Sequence, residues 1–531
     1  MCCGSLFGRF RVPDRKITLC LLVIFSYAAL PQGAAAQEAQ PPEPLPPETD
    51  PPGVSNEDLG ISRRFLSLRY GYLSEANSNH AIGQFVLENY MLLDGSLDWL
   101  TGALDSRGEE SVGMRTLLGL TWVWGAWRLR PAYSLAYHEF GHGTRMRAAG
   151  ANPIYFFSDF DYTQSLIDAR VQTALVSAGV PTVIAAREVR PTRYTNFFTY
   201  LGDAIAGGKS SGYTTFDHPF TSTAPADWDA VITGGGVNNE MYLTELIEDQ
   251  AYYNGASFVY FFQYINGKQA SYDYFRAQDD NQTLRTTGDM ANILTYYNRK
   301  RDYTNPTVAD LLNRPVGSEL LATEVLATDF FFTLQPVTPA QMVANTLTSL
   351  QNGDHNYHIT RADIETGNLI ALYGSSTTYL LMYSFMKYMF EGDATVHSWE
   401  LAGIRLPDIS FYHSRRGISY KLRSGYRWHR WTFPFAVEHV TKGDMTTEGT
   451  LGVRYDADQY AVTFTSIVGR SGGAGVEFDY YLPVADFANA RLGSRIFYHS
   501  VNTLEGERNM SRVEPGSYAE LEADVYVSLV Y

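Results

Sequence analysis

The feature that most constrains this chain is a two-residue alternation at its C-terminal end. In SYAELEADVYVSLVY, Ala519, Leu521, Ala523, Val525, Val527, Leu529 and Tyr531 alternate with Glu520, Glu522, Asp524, Tyr526 and Ser528. Successive side chains of a strand point to opposite faces, so this run predicts one apolar and one mostly polar face. It covers thirteen residues, longer than an average soluble strand and close to what a tilted strand needs to cross a bilayer. Similar segments recur upstream: LPDISFYHS, GISYKLRSGYRW, RWTFPFAVEHV, TEGTLGVRYD, QYAVTFTSIVG, GAGVEFDYYL and ARLGSRIFYHSV. Most alternate, and short connections containing Gly, Asp or Asn separate them. About eight strands are expected between residues 405 and 531. A soluble β-sandwich would also have one apolar face per strand. Strand length and aromatic residues near the strand ends favour a barrel.

The chain stops on an aromatic residue, Tyr531, at the end of its last strand. This resembles the C-terminal signature of bacterial outer-membrane β-barrels, whose final strand ends in Phe, Trp or Tyr. The resemblance implies an outer-membrane location, contact with outer-membrane lipid, and recognition of Tyr531 by the barrel assembly machinery. Two earlier segments also alternate: RFLSLRYGYLSE (64–75) and VGMRTLLGLTWVWGAW (112–127). In the second, Val112, Met114, Leu118, Leu120, Trp122 and Trp124 share one parity. Counting both as strands gives about ten, an even number, as bacterial barrels usually have. Residues 84–93 read equally as strand or helix.

Composition agrees. Charged residues make up 18% of the chain and aromatics 14%, with 37 tyrosines, a balance that fits exported or outer-membrane proteins. A net charge of -16 leaves no basic surplus for phosphates and argues against nucleic acid as a partner. Residues 1–36 read as a cleaved signal peptide. Arg9, Arg11, Arg15 and Lys16 precede the apolar ITLCLLVIFSYAAL, and Ala34, Ala35 and Ala36 form a small-residue cleavage site. The apolar run of about 14 residues is short for a span, though an uncleaved anchor is the alternative. Cleavage would take the charge to about -19. It would also remove Cys2, Cys3 and Cys20, so a metal site in the mature chain must use His, Asp or Glu. Residues 37–60 open on QEAQPPEPLPPETDPPG, a Pro/Glu-rich spacer without core-forming residues.

Between residues 131 and 400 the period changes. IDARVQTALVSAG, NEMYLTELIEDQAYY, TPAQMVANTLTSLQ and NLIALYGSSTTYLLMYSFMKYMF read as helices. The expected class is therefore α+β: a transmembrane antiparallel β-barrel of about eight to ten strands with a mostly helical domain inserted. Its strands would lie in 61–130 and 401–531. The inserted block contains LAYHEFGHGTR, on a helix expected to open at Pro131 and close at Gly150. His138 and His142, at i and i+4, project from one face, so both imidazoles can reach one zinc ion. Glu139 adjoins them and can exchange protons with a zinc-activated water. By residue frequencies alone, H-E-x-x-H arises in about one such chain in a hundred. Gly141 and Gly143 weaken a helix by about 1 kcal/mol each relative to Ala, a loss that close backbone approach would explain.

HEFGH resembles the active-site helix of the zincin metallopeptidases. Arg145 and Ala148 stand where the metzincin branch needs Gly and His, which excludes that branch. The gluzincin branch takes its third ligand from a glutamate on a later helix, in some members within G-x-x-N-E. Here GVNNE, residues 236–240, opens a helix that an Asn can cap. The resemblance implies Glu240 as third ligand, with Glu245 as an outer partner or alternative ligand. The gap from His142 to Glu240 is much longer than in the compact members. His355 and His358, in NGDHNYHIT, are a rival pair better read as a solvated turn, and His218 reads as packing. Arg145 and Arg147 read as a solvated helix end, and Asn238 and Asn239 as caps. The expectation is an outer-membrane zinc-dependent hydrolase, a metallopeptidase acting on a peptide or protein. The alternative is a non-catalytic barrel whose inserted domain binds a partner, polymer or ion. An intramembrane protease with spanning helices at 171–186 and 369–390 ranks behind both.

Overall fold

The alternating C-terminal segments form one antiparallel sheet. The computed structural model describes residues 63–69, 78–106, 108, 111–148, 151–157, 176–179, 193–208, 212–216, 228–280, 288–299, 359–457, 459–469, 472–485, 488–500, 503–508 and 519–531. The expected leader and spacer, TPAQMVANTLTSLQ, His218, His355 and His358 lie outside these residues, as does most of IDARVQTALVSAG.

The strands are β1 (Phe65–Arg69), β2 (Pro153–Phe157), β3 (Gly212–Phe216), β4 (Glu400–Leu401), β5 (Ile404–Arg405), β6 (Asp408–Ser414) and β7 (Gly417–Trp428). They continue as β8 (Trp431–Gly443), β9 (Thr447–Asp456), β10 (Tyr460–Val468), β11 (Gly472–Ala485), β12 (Ala488–Ser500) and β13 (Ala519–Val530). The helices are α1 (Asn79–Asp105), α2 (Val112–Ala148), α3 (Phe197–Gly207), α4 (Trp228–Thr233), α5 (Gly235–Tyr253) and α6 (Phe261–Lys268). After them come α7 (Ala270–Asp280), α8 (Asp289–Arg299), α9 (Arg361–Tyr373), α10 (Ser376–Glu391) and α11 (Leu504–Arg508).

The sheet has 11 strands. Each of the eight segments expected after residue 405 forms one, from β6 to β13, in meander order. The chain's first strand joins its last, Phe65 opposite Val530. At the other end β7 pairs with β6 and, near its own end, with β5, and β5 pairs with β4. Among the described residues no pairing joins β1 to β4, so the sheet is not closed. β2 and β3 form a separate two-stranded unit.

The burial pattern on this sheet is inverted. On β13, Leu521 and Val525 are 64% and 62% exposed, whereas Glu522 and Asp524 are 4% exposed. The exposed face is apolar, and the opposite face carries buried ion pairs: Arg69 with Asp524 at 2.6 Å and Arg495 with Glu522 at 2.7 Å. Helix α5 lies against this polar face, where Lys421 meets Glu245 at 2.9 Å and Arg423 meets Glu248 at 2.9 Å. Such pairs offset the desolvation of their charges only while both partners remain. Removing one typically costs about 3–5 kcal/mol.

The upstream region departs from expectation. Residues 112–127, expected as a strand, are the first half of the 37-residue helix α2, which continues through Pro131 instead of starting there. The parity reading was weak because Leu117 and Val123 break it. At helical spacing, Met114, Leu117, Thr121 and Trp124 share one exposed face. Residues 84–93 belong to helix α1. Of 64–75, the described strand is only Phe65–Arg69. The helix expected across 368–390 is two, α9 and α10, broken at Gly374 and Ser375. Helix α1 runs beside β1, with Glu88 accepting from the Ser67 amide at 2.8 Å. Helix α10 is tied to the start of β6, where the Thr377 amide donates to Asp408 at 2.9 Å.

Candidate metal centre

The second half of α2 is buried on all sides, from Ala132 to Met146. A helix can be enclosed this way only if its neighbours approach closely, and the glycines allow it. A methyl group at Gly141 would collide with the carbonyl oxygen of Gly235, so α2 and α5 meet backbone to backbone there. This is the close approach that the glycines of HEFGH suggested. A methyl at Gly236 would collide with Nε2 of His138.

His138 and His142 lie one turn apart, with ring centroids separated by 4.9 Å. Each presents Nδ1 to an acceptor: His138 to Oε2 of Glu240 at 3.1 Å, His142 to the Ile232 carbonyl at 2.6 Å. An acceptor at Nδ1 holds the proton there and leaves the Nε2 lone pair facing the opposite way. Both Nε2 atoms lie 3.1 Å from Oδ2 of Asp289, in the first turn of α8. The buried group His138, His142 and Asp289 can hold a metal ion.

The electrostatics point the same way. Burial opposes charge on both imidazoles, yet hydrogen bonds and attraction from Asp289 and Glu240 raise His138 well above the ordinary histidine value. His142 is likewise raised, against burial, mainly by Asp289. Burial would raise Asp289, but the two imidazoles bring its carboxyl far below the usual carboxylate range. The site thus favours a positive charge between the rings and the carboxylate, whether protons or a metal ion. Two imidazole nitrogens and one carboxylate oxygen form a donor set that suits zinc.

Glu139 is fully buried. Its Oε2 accepts from Thr214 Oγ1 on β3 at 2.6 Å. Burial raises its proton affinity, with the neighbouring imidazoles acting in opposition. Tyr274, on α7, stacks its ring on His138 with centroids 5.8 Å apart.

The GVNNE segment does meet the histidine helix, in a different way from that expected. Glu240 contacts the far nitrogen of His138, and Asp289 takes the position between the two Nε2 atoms. Asn266 donates to Oε1 of Glu240 at 3.1 Å, fixing the carboxylate that orients the ring. Asn239 donates to the Tyr137 carbonyl at 3.1 Å, and Asn238 clamps the backbone of His413 on β6. Neither caps α5, which starts after Gly234 without a side-chain cap. Glu245 points away from the centre to Lys421 and Arg423, so it is neither ligand nor outer partner there. Arg145 is not at a solvated end: it is buried and donates to Gly141, Asn239 and the Arg508 carbonyl. Arg147 is half-buried and donates to the Tyr155 hydroxyl at 3.0 Å.

Asp289 carried no sequence signal of its own. In TTGDMANIL it reads as an acid in the first turn of a helix, a common spelling. Compared with protein-family models, curated proteins and solved structures, the chain matches none.

Proposed function

We propose that this chain is an outer-membrane zinc-dependent hydrolase of the metallopeptidase type. The observation that carries the chemistry is the convergence of both Nε2 atoms on Asp289, with Glu139 beside them. His138, His142 and Asp289 would hold the zinc. Zinc supplies a Lewis acid that makes water a competent nucleophile near neutral pH. The chain's own groups do the rest. Glu240 and the Ile232 carbonyl keep both imidazoles in the Nδ1–H tautomer. Thr214 holds Oε2 of Glu139, which assigns proton transfer to Oε1. That atom takes the proton of the attacking water and delivers it to the leaving amine. Preference for an amide over an ester rests on the resemblance of HEFGH to zincins.

The membrane assignment is supported by the inverted sheet. Strands β7 to β13 run 9 to 14 residues, against about 9–11 needed to span a bilayer as a tilted strand. Exposed aromatics gather at the end of the sheet where β13 finishes: Tyr426, Trp428 and Trp431 on one hairpin, Tyr460 on the next. That is the pattern of an interfacial girdle. In this reading the sheet is the barrel part and α2, α5 and α8 carry the inserted zincin-like domain.

The test is the metal content of the purified protein beside His138→Ala, Asp289→Ala and Glu139→Gln variants. One zinc per chain, lost in the first two and kept in the third with loss of hydrolysis, is expected. Absence of zinc from the parent protein after a zinc reload would sink the enzyme. Fractionation with the outer membrane, and an SDS-resistant form that unfolds on heating, checks the location.

A further inference from the structure

The sheet leaves a gap between β1 and β4, and helices occupy it. Helix α1 lies along β1, α2 packs on α1, and α10 packs on α2. Trp122 donates to the Leu93 carbonyl at 2.9 Å, and Gly119 of α2 approaches Tyr388 of α10. A water-facing helix normally turns charged residues outward. These helices do the opposite. From Met114 to Trp127 the exposed positions of α2 are Met114, Leu117, Thr121 and Trp124, none of them charged, and the exposed Arg128 closes this face at its far end. Along α10 the exposed positions from Tyr379 to Phe390 are again uncharged, with Phe390 63% exposed, and the exposed Glu391 ends the helix.

Two of the hydroxyls on these faces are satisfied by helix carbonyls. Thr121 Oγ1 donates to the Leu117 carbonyl at 2.8 Å, and Tyr379 to the Tyr373 carbonyl at 3.0 Å. That is what hydrocarbon demands of a hydroxyl and water does not. The strands that flank the gap also carry exposed apolar residues: Leu66 and Leu68 on β1, Leu401 and Ile404 on β4 and β5. Residues 112–127 extend about 24 Å, most of the roughly 30 Å of a hydrocarbon core, and the long side chain of Arg128 can reach the interface beyond it. No helix among the described residues is long and apolar enough to cross a membrane by itself. A helix with one side against protein needs only its other side to be apolar.

We propose that lipid acyl chains cover the outward faces of α2 and α10, so that helices complete in the bilayer the wall that the strands leave open. This rests on the membrane reading above and extends it from the sheet to the helices. The experiment uses the full chain with Cys2, Cys3 and Cys20 changed to Ala and single probe cysteines at Leu117, Thr121, Met386 or, on β10, Phe464. Each is labelled with an environment-sensitive fluorophore and reconstituted into phosphatidylcholine vesicles with or without brominated acyl chains. Thr121→Cys is the mildest change and guards against misfolding. Bromolipid quenching at Leu117, Thr121 and Met386 comparable to that at Phe464 is expected. Quenching at Phe464 alone would overturn the proposal, assigning the helices to water or a second copy of the chain, and leave the membrane reading standing. Loss of quenching at all four positions would overturn both.

Discussion

The two halves of helix α2 obey different rules. Val112–Arg130 has exposed apolar residues on one side and packs on α1 and α10 with the other. Pro131–Ala148 is enclosed almost completely and carries the two histidines of the candidate metal centre, a glutamate and a buried arginine. As far as Trp127 the first half is apolar where it meets the exterior, whereas the second is polar where it meets the interior. The sheet repeats this contrast across its thickness, with leucines and valines outside and ion pairs within. A segment's hydrophobicity therefore does not say whether it is inside this molecule; its partners do.

The largest expected effect lies in the second half. Glu139→Gln should lower hydrolysis by about 10²–10⁴-fold, with zinc retained. Peptidase assay and metal analysis on one preparation check both parts. Next, Glu240→Gln keeps the metal but lowers zinc affinity by about 10–100-fold, as expected of a group that orients a ligand. Competition with a chelator reads this, and zinc loss equal to that of Asp289→Ala would return Glu240 to the ligand set.

The first half is probed by Leu117→Lys. If its face meets hydrocarbon, the variant should be destabilised by about 2–4 kcal/mol in bilayers. Unchanged unfolding in vesicles would erase the contrast between the halves. The smallest effect is at the far end of α10. Both ring nitrogens of His397 are buried without hydrogen-bond partners among the described residues, and burial with nearby Arg427 and Lys387 lowers its pKa from 6.5 to about 4. The unfolded chain binds the proton first, so this contribution to stability is intact above pH 6.5 and declines as pH falls toward about 4. His397→Gln should flatten that part of a stability-against-pH curve.

Reading the sequence went furthest where the information was local. The eight C-terminal strands follow from alternation, because a strand's faces depend only on residue parity. HEFGH placed two imidazoles on one helical face for the same reason. Residues 112–127 misled because aliphatic and aromatic residues of both parities fit a strand or a helix, and packing against α1 and α10 decided for the helix. Glu245 and Arg145 were misplaced because their partners, Lys421 and the Arg508 carbonyl, lie far along the chain.

By itself, then, the sequence determined the periodicities: a long alternating sheet, helices between its parts, and a histidine pair at one-turn spacing. Only the tertiary structure decided which face of the sheet lies outward, which carboxylate joins the histidines, and how the gap between β1 and β4 is filled. The physical reason is range. Backbone geometry couples neighbours two to four residues apart, whereas the meeting of Asp289 with His138 and His142 depends on how α2, α5 and α8 pack.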